Sequence, residues 1–122
     1  MATVIIIDDS EDILNVMRLM LSAAGFDVTG VANNGLEGVE MYKNSKPDIV
    51  LLDVQMPVMS GRKALRAIMK EDKNAFVIML TGSSNVEVVD DCLEAGARHY
   101  IMKNDAQKVA GMVKELWDEH CG

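Results

Sequence analysis

The chain has 122 residues, 49% of them hydrophobic and 25% charged, which is typical of a single soluble globular domain. Its formal net charge of −7 argues against a nucleic-acid partner, because non-specific binding to nucleic acids depends on clustered lysine and arginine. The first apolar run is interrupted by Asp8 and Asp9 and has no basic segment before it, so it is not a signal peptide. Since no stretch is long enough to span a membrane either, we expect a cytoplasmic protein without a membrane partner.

The first third of the chain predicts a strand, a helix and a second strand. Branched apolar residues over 3–8 are typical of a parallel strand buried on both faces. Ser10 is placed to cap the helix that follows, and a short second strand covers 27–32. The apolar side of the helix carries five residues at helical spacing: Ile13, Leu14, Met17, Leu21 and Ala24.

The middle of the chain repeats this pattern. A second helix ends before Pro47 and is followed by a third strand over 49–52 and a loop over 54–61. The second helix is marked by Leu36, Val39 and Tyr42. A third helix then turns four apolar residues inward: Ala64, Leu65, Ile68 and Met69.

The last third predicts two more strand and helix pairs. A fourth strand covers 76–80, and the S-x-x-E pattern over 84–87 predicts the start of a helix that ends at Gly96. A fifth strand covers 98–102, after which Asn104 or Asp105 caps the last helix. That helix carries an apolar stripe: Val109, Met112, Val113, Leu116 and Trp117.

This alternation of strands and helices predicts the fold. Strands separated by helices of this length pair in parallel through right-handed crossovers, and the helices must cover both faces of the sheet. We therefore predict a flavodoxin-like α/β fold: a doubly wound, five-stranded parallel sheet with five helices in three layers.

Three aspartates follow predicted strands. Asp8 and Asp9 end the first apolar run, and Asp53 ends the third. If these strands are neighbours, all three acids lie at the carboxyl edge of the sheet, where open α/β sheets place their ligands. Two carboxylates 4 Å apart repel by roughly 4 kcal/mol near a protein surface, so the cluster needs a proton, a lysine or a divalent cation. Carboxylates and water suit Mg²⁺.

The loops after the last two strands add groups that suit phosphoryl transfer. Thr81 and the amide of Gly82 follow the fourth strand, and Lys103 follows the fifth. A carboxylate beside Mg²⁺ and a lysine can attack a phosphoryl group and hold it as an acyl phosphate, while the Thr81 hydroxyl donates to one of its oxygens. Each residue alone has an ordinary structural explanation, but their convergence at one sheet edge favours a site.

Four segments carry a resemblance to a known family: IIIDDS, LLDVQMPVMSG, MLTGS and HYIMK. Over essentially its whole length, the chain resembles the receiver domain of two-component response regulators, and the D-x-x-M-P-x-M-S-G string is specific. The resemblance implies the strand order 2-1-3-4-5. It also implies a single receiver domain over 1–122 with no output domain.

The resemblance implies a role for each site residue. Asp53 would accept phosphate from a histidine kinase or phosphotransfer protein. Asp9 would bind Mg²⁺ directly and Asp8 largely through water, with the backbone carbonyl of Gln55 as a further ligand. Lys103 would pair with Asp53 before phosphorylation and with the phosphate afterwards. Thr81 and the aromatic residue Tyr100 would form the switch pair.

The resemblance also implies how the protein signals. A phosphate on Asp53 would remodel the surface of the fourth helix, fifth strand and fifth helix, which would dock a target protein. We therefore expect a monomeric, stand-alone receiver of the chemotaxis or phosphorelay type. It would not be an enzyme beyond phosphotransfer and autodephosphorylation.

The chain departs from the family pattern in two ways. Asn104 follows Lys103, where receivers commonly have a proline in a cis peptide. A cis bond before another residue costs about 2.5–4 kcal/mol, so a trans bond and a differently aimed lysine become possible. Gln55 and Ser83 occupy positions that in the family tune how fast the phosphate is lost, and since neither is acidic we hypothesise an acyl phosphate of at least moderate lifetime.

Three alternatives stay open. The chain could be a receiver fragment of a longer regulator. It could be a phosphotransferase of the haloacid dehalogenase type, although Gln55 stands where the D-x-D-x-[TV] motif has its second acid. A nucleotide- or flavin-binding domain is disfavoured, because GLEG at 35–38 lacks the first glycine pair of a dinucleotide-binding loop.

Overall fold

The computed structural model describes residues 1–56, 58–82, 86–103 and 106–122. Strands and helices alternate along these residues, as the apolar pattern predicts. In chain order the elements are β1 Thr3–Ile7, α1 Glu11–Ala23, β2 Asp27–Ala32, α2 Gly35–Ser45, β3 Ile49–Asp53, α3 Gly61–Glu71, β4 Val77–Thr81, α4 Val86–Glu94, β5 His99–Met102 and α5 Ala106–Cys121. None of the helices formed by the described residues is both long and apolar enough to cross a membrane.

The strands form one parallel sheet in the order β2-β1-β3-β4-β5, which confirms the predicted flavodoxin-like topology. The register brings the carboxyl ends of the strands together. Ile7 of β1 pairs with Leu52 of β3, and Asp53 pairs with Leu80 of β4. The residues that follow β1, β3, β4 and β5 therefore meet at one edge of the sheet.

The core consists of two apolar layers, one on each face of the sheet. Alternate residues of β1 and β3 point to opposite faces, so Ile5 and Ile7 join one layer while Val4 and Ile6 join the other. The first layer packs against α2, α3 and α4, and the second packs against α1 and α5. This two-sided burial explains why the strands are continuous apolar runs.

Two side chains assigned to apolar helix faces lie outside the core. Leu36 of α2 is 51% exposed and Met112 of α5 is 45% exposed, so these two members of the apolar pattern do not join the core. In α2 the buried face is formed instead by Gly35, Gly38, Val39 and Tyr42, because the glycines let the helix approach its neighbours closely.

Among the described residues, the structure tests one of the predicted helix caps. Ser10 caps α1, and its hydroxyl accepts a hydrogen bond from the backbone N–H of Ile13. The predicted caps at Ser84, Asn104 and Asp105 lie outside the described residues. The Lys103–Asn104 peptide bond and Ser83 also lie outside the described residues.

Candidate metal centre

Three carboxylates converge at the carboxyl edge of the sheet. Each of Asp8, Asp9 and Asp53 offers an oxygen, and these oxygens all lie within 4.8 Å of one another. Asp8 and Asp53 are buried, with 0% and 3% of their surface exposed, whereas Asp9 is exposed. The convergence follows from the parallel pairing of β1 with β3, as expected.

Asp8 is fixed by hydrogen bonds on both sides. Its backbone N–H donates to the carbonyl oxygen of Ala32 at 3.0 Å, which extends the pairing of β1 with β2. Its Oδ1 accepts from the backbone N–H of Ser10 at 2.9 Å. The other oxygen, Oδ2, accepts from the ammonium of Lys103, so this carboxylate is held in one orientation.

Lys103 bridges two of the acids. Its Nζ lies 3.0 Å from Oδ2 of Asp8 and 3.0 Å from Oδ1 of Asp53. Its backbone N–H donates to the carbonyl oxygen of Thr81, which fixes the start of this side chain at the same edge. Burial lowers the pKa of the ammonium, but the hydrogen bonds and charges of Asp8 and Asp53 outweigh burial and raise the pKa overall. Lys103 is therefore a permanent cation at neutral pH.

The Asp53 carboxyl has an unusual protonation equilibrium. Burial raises its pKa to about 6, and the negative charge of Asp8 adds to this rise. The hydrogen bond from Lys103 and the backbone N–H of Gln55 oppose the rise but do not cancel it. Asp53 is ionised at neutral pH, yet its charge is poorly compensated and favours a further cation.

The charge and chemistry of the cluster fit Mg²⁺. When all three acids are ionised, the single ammonium of Lys103 leaves two negative charges uncompensated, which matches one divalent cation. The donors are carboxylate oxygens, which Mg²⁺ prefers. Because Asp8 is occupied by Ser10 and Lys103, Asp9 and Asp53 are the acids that would hold the ion most directly.

A cavity of about 430 Å³ opens above the acids. It has room for a phosphoryl group and several water molecules, since each water occupies about 30 Å³ in the liquid. Its lining residues are Asp9, Asp53, Val54, Gln55, Thr81, Gly82, Val88 and Lys103. Six of these were singled out from the sequence, and Asp8 supports them from the interior.

The cavity lining does not test the role of Tyr100, and it includes one residue that was not singled out, Val88. Tyr100 is 46% exposed on β5 and is not among the residues that line the cavity, so its role in a switch stays a prediction. Val88 of α4 lines the cavity but was not singled out. Its apolar side chain carries no chemical signal in the sequence, and only the packing of α4 brings it to this edge.

Comparison with known proteins gives a consistent assignment. The family model described as the response regulator receiver domain matches residues 4–114. The chemotaxis protein CheY of Thermotoga maritima is 40% identical over 100 residues, which cover 82% of this chain and 83% of that protein.

Solved structures agree in fold. The CheX–CheY–BeF3–Mg complex of Borrelia burgdorferi contains a chain that superposes with a TM-score of 0.90 at 38% identity, covering 95% of this chain and 89% of that one. A CheY-like receiver domain protein of Methanospirillum hungatei JF-1 gives a TM-score of 0.89 at 30% identity, covering 98% and 95%. The structural similarity therefore extends over nearly the whole chain.

Proposed function

Because the chain belongs to the response regulator receiver family, we propose that it accepts a phosphoryl group from a histidine kinase or phosphotransfer protein onto Asp53, in a reaction that requires Mg²⁺. The observation that carries this proposal is the position of Asp53. Its buried carboxylate lies 3.0 Å from the Lys103 ammonium and within the group of three acids, at a cavity that is open to a donor.

The chemistry is a displacement at phosphorus. An oxygen of Asp53 attacks the phosphorus of a phosphohistidine and forms a P–O bond. The P–N bond breaks, and its electron pair leaves with the imidazole nitrogen. An ion held by Asp9, Asp53 and the Gln55 carbonyl would neutralise charge on the phosphoryl oxygens.

The remaining groups of this chain serve the transferred phosphate. Lys103 would move its hydrogen bond from the Asp53 carboxylate to a phosphoryl oxygen, keeping an ammonium beside the new charge. The Thr81 hydroxyl and the backbone N–H of Gly82 would donate to the other oxygens. Hydrolysis of the acyl phosphate would return the protein to its starting state, and we expect at least a moderate lifetime.

The signal would leave through the surface formed by α4, β5 and α5. Three of its large apolar side chains are already exposed: Leu93 of α4, Tyr100 of β5 and Met112 of α5. Movement of Thr81 toward a phosphate would open space for Tyr100 to turn inward and change this surface. The protein would act as a monomeric cytoplasmic receiver of the chemotaxis or phosphorelay type that binds a target after phosphorylation.

Phosphotransfer profiling tests the proposal. Purified histidine kinases carrying labelled phosphate are mixed briefly with the wild type, with Asp53→Asn and with Asp27→Asn, whose substitution lies on the exposed edge strand β2. We expect one or a few kinases to label the wild type and the Asp27 variant but not the Asp53 variant. Transfer to the Asp53 variant, or equal transfer with a chelator present, would refute it.

A further inference from the structure

We propose that Gly35, at the start of α2, is a positioning residue for the metal centre. Its missing side chain leaves space for Met59 of the segment between β3 and α3, and Gln55 belongs to the same segment. The inference rests on the proposed Mg²⁺ site, and it concerns a glycine that is not among the residues that line the cavity.

The contact between Gly35 and the loop leaves no room for a side chain. A methyl group at position 35 would lie 2.6 Å from the carbonyl oxygen of Met59 and 3.0 Å from its Cβ. The first distance is too short for a stable contact, and the atom involved belongs to the backbone. Because Gly35 lies in a right-handed helix, other residues could adopt its conformation, so glycine is needed here for space alone.

The loop is pinned at both of its ends. The backbone N–H of Gly61 donates to the carbonyl oxygen of Val54 at 2.9 Å, which closes the loop on itself. A Cβ at Gly61 would overlap the carbonyl oxygen of Asp53, so the start of α3 rests directly on the acceptor strand. Because Val54 and Gly61 hold the ends of this segment, we expect a displacement of Met59 to shift Gln55, which lies between them.

Helix α2 is less able to yield than the loop. Its Asn34 cap accepts a hydrogen bond from the backbone N–H of Glu37 at 2.9 Å, and Val39 and Tyr42 are buried in the core. One turn further along, Gly38 packs on the side chain of Ile7 so closely that an added Cβ would lie 2.5 Å from its Cδ1. The two glycines of GLEG thus face different neighbours: Gly35 faces the loop and Gly38 faces the core.

This difference provides a matched pair of variants. Gly35→Ala and Gly38→Ala add the same methyl group to the same helix, and both gain helix propensity while creating a steric overlap. Only the first pushes on the loop. Titration calorimetry with Mg²⁺ alone should show roughly tenfold weaker binding for G35A, the lower end of the range for residues that support metal ligands. For G38A we expect binding within about twofold of the wild type, even if its stability falls more.

A second measurement tests Mg²⁺ binding even if either variant is less stable than the wild type. The increase in the urea midpoint on adding Mg²⁺ depends on affinity and can be measured in a weakened protein. We expect a smaller increase for G35A than for G38A. Equal Mg²⁺ affinity in G35A and wild type would overturn the inference, as would equal weakening in both variants or a G35A protein that does not fold while G38A does. If the wild type itself does not bind Mg²⁺, the proposed function fails as well.

Discussion

The Nζ atom of Lys103 lies 3.0 Å from Oδ1 of Asp53, although β4 separates the strands that carry these two residues. The lysine reaches across because it directly follows β5 at the same edge of the sheet. It compensates part of the charge of the acids and makes the same contact with Asp8. We regard this ammonium as a partial substitute for the divalent cation that the cluster favours.

Removal of this ammonium should destabilise the protein mainly in the absence of Mg²⁺. Lys103→Ala removes the ammonium that donates to both buried carboxylates, which should cost roughly 1–3 kcal/mol of unfolding free energy. An added divalent cation should restore part of the loss. Urea denaturation with a chelator and with Mg²⁺ measures both effects. Lys114→Ala on the exposed face of α5 is the control, expected within about 0.5 kcal/mol of wild type in either buffer.

An equal loss for Lys103→Ala in both buffers would contradict this account. It would mean that the lysine contributes packing or local backbone structure, and that no cation takes over its charge.

Substitution of the acceptor should stabilise the metal-free protein at neutral pH. Because burial raises the pKa of Asp53 from 3.8 to about 6, folding favours its protonated form. This shift destabilises the folded protein by roughly 3 kcal/mol at most. The destabilisation is present in full above pH 6 and disappears as the pH falls below about 4, where the folded and unfolded states both carry the proton. Asp53→Asn should therefore be more stable than wild type by about 1–3 kcal/mol at pH 7.5 without Mg²⁺.

Urea midpoints at pH 7.5 and pH 4 test this prediction, with Asp27→Asn as the control on an exposed strand position. We expect the gain from Asp53→Asn to shrink at the lower pH. A variant that is less stable than wild type at pH 7.5 would show that Asp53 is well compensated without a metal.

The hydroxyl of Thr81 should affect phosphorylation more than metal binding. Thr81 is buried at the end of β4 and lines the same cavity as Asp9 and Asp53. Thr81→Ala should slow labelling by acetyl phosphate roughly tenfold or more, because a donor to the phosphoryl oxygens is lost. Mg²⁺ affinity should stay within about twofold, since the hydroxyl is not needed as a metal ligand.

Thr81→Ser is the matched control for this effect, because it retains the hydroxyl and removes only the methyl group. It should label at nearly the wild-type rate. If serine slows labelling as much as alanine does, the methyl group and its packing are responsible.

The sequence was sufficient to predict the elements and the convergence of the acids. Continuous apolar runs mark strands buried on both faces, and the carboxyl ends of parallel strands must meet at one edge. Asp53 and Thr81 were expected just beyond their strands, whereas the structure includes each as the last residue of its strand. Such one-residue shifts arise because the ends of strands are set by hydrogen-bond pairing and not by the side-chain pattern.

The features that were not predicted from the sequence depend on close packing. Gly35 and Gly38 form part of the buried face of α2, yet glycine contributes nothing to an apolar stripe, and the sequence pattern drew attention to the exposed Leu36. The second contact of Lys103, with Asp8, was not predicted either, because sequence order gives the edge on which a side chain lies and not its partners. Val88 reached the cavity only through the placement of α4.

The most direct test of the account locates the phosphoryl group. Wild-type protein is incubated with acetyl phosphate in Mg²⁺ or in a chelator, the acyl phosphate is trapped by borohydride reduction, and the modified residue is identified by peptide mass spectrometry. We predict modification at Asp53 alone, only when Mg²⁺ is present. Modification at another residue, or at Asp53 to the same extent in the chelator, would contradict the assignment of Asp8, Asp9 and Asp53 as one cation-dependent phosphoacceptor centre.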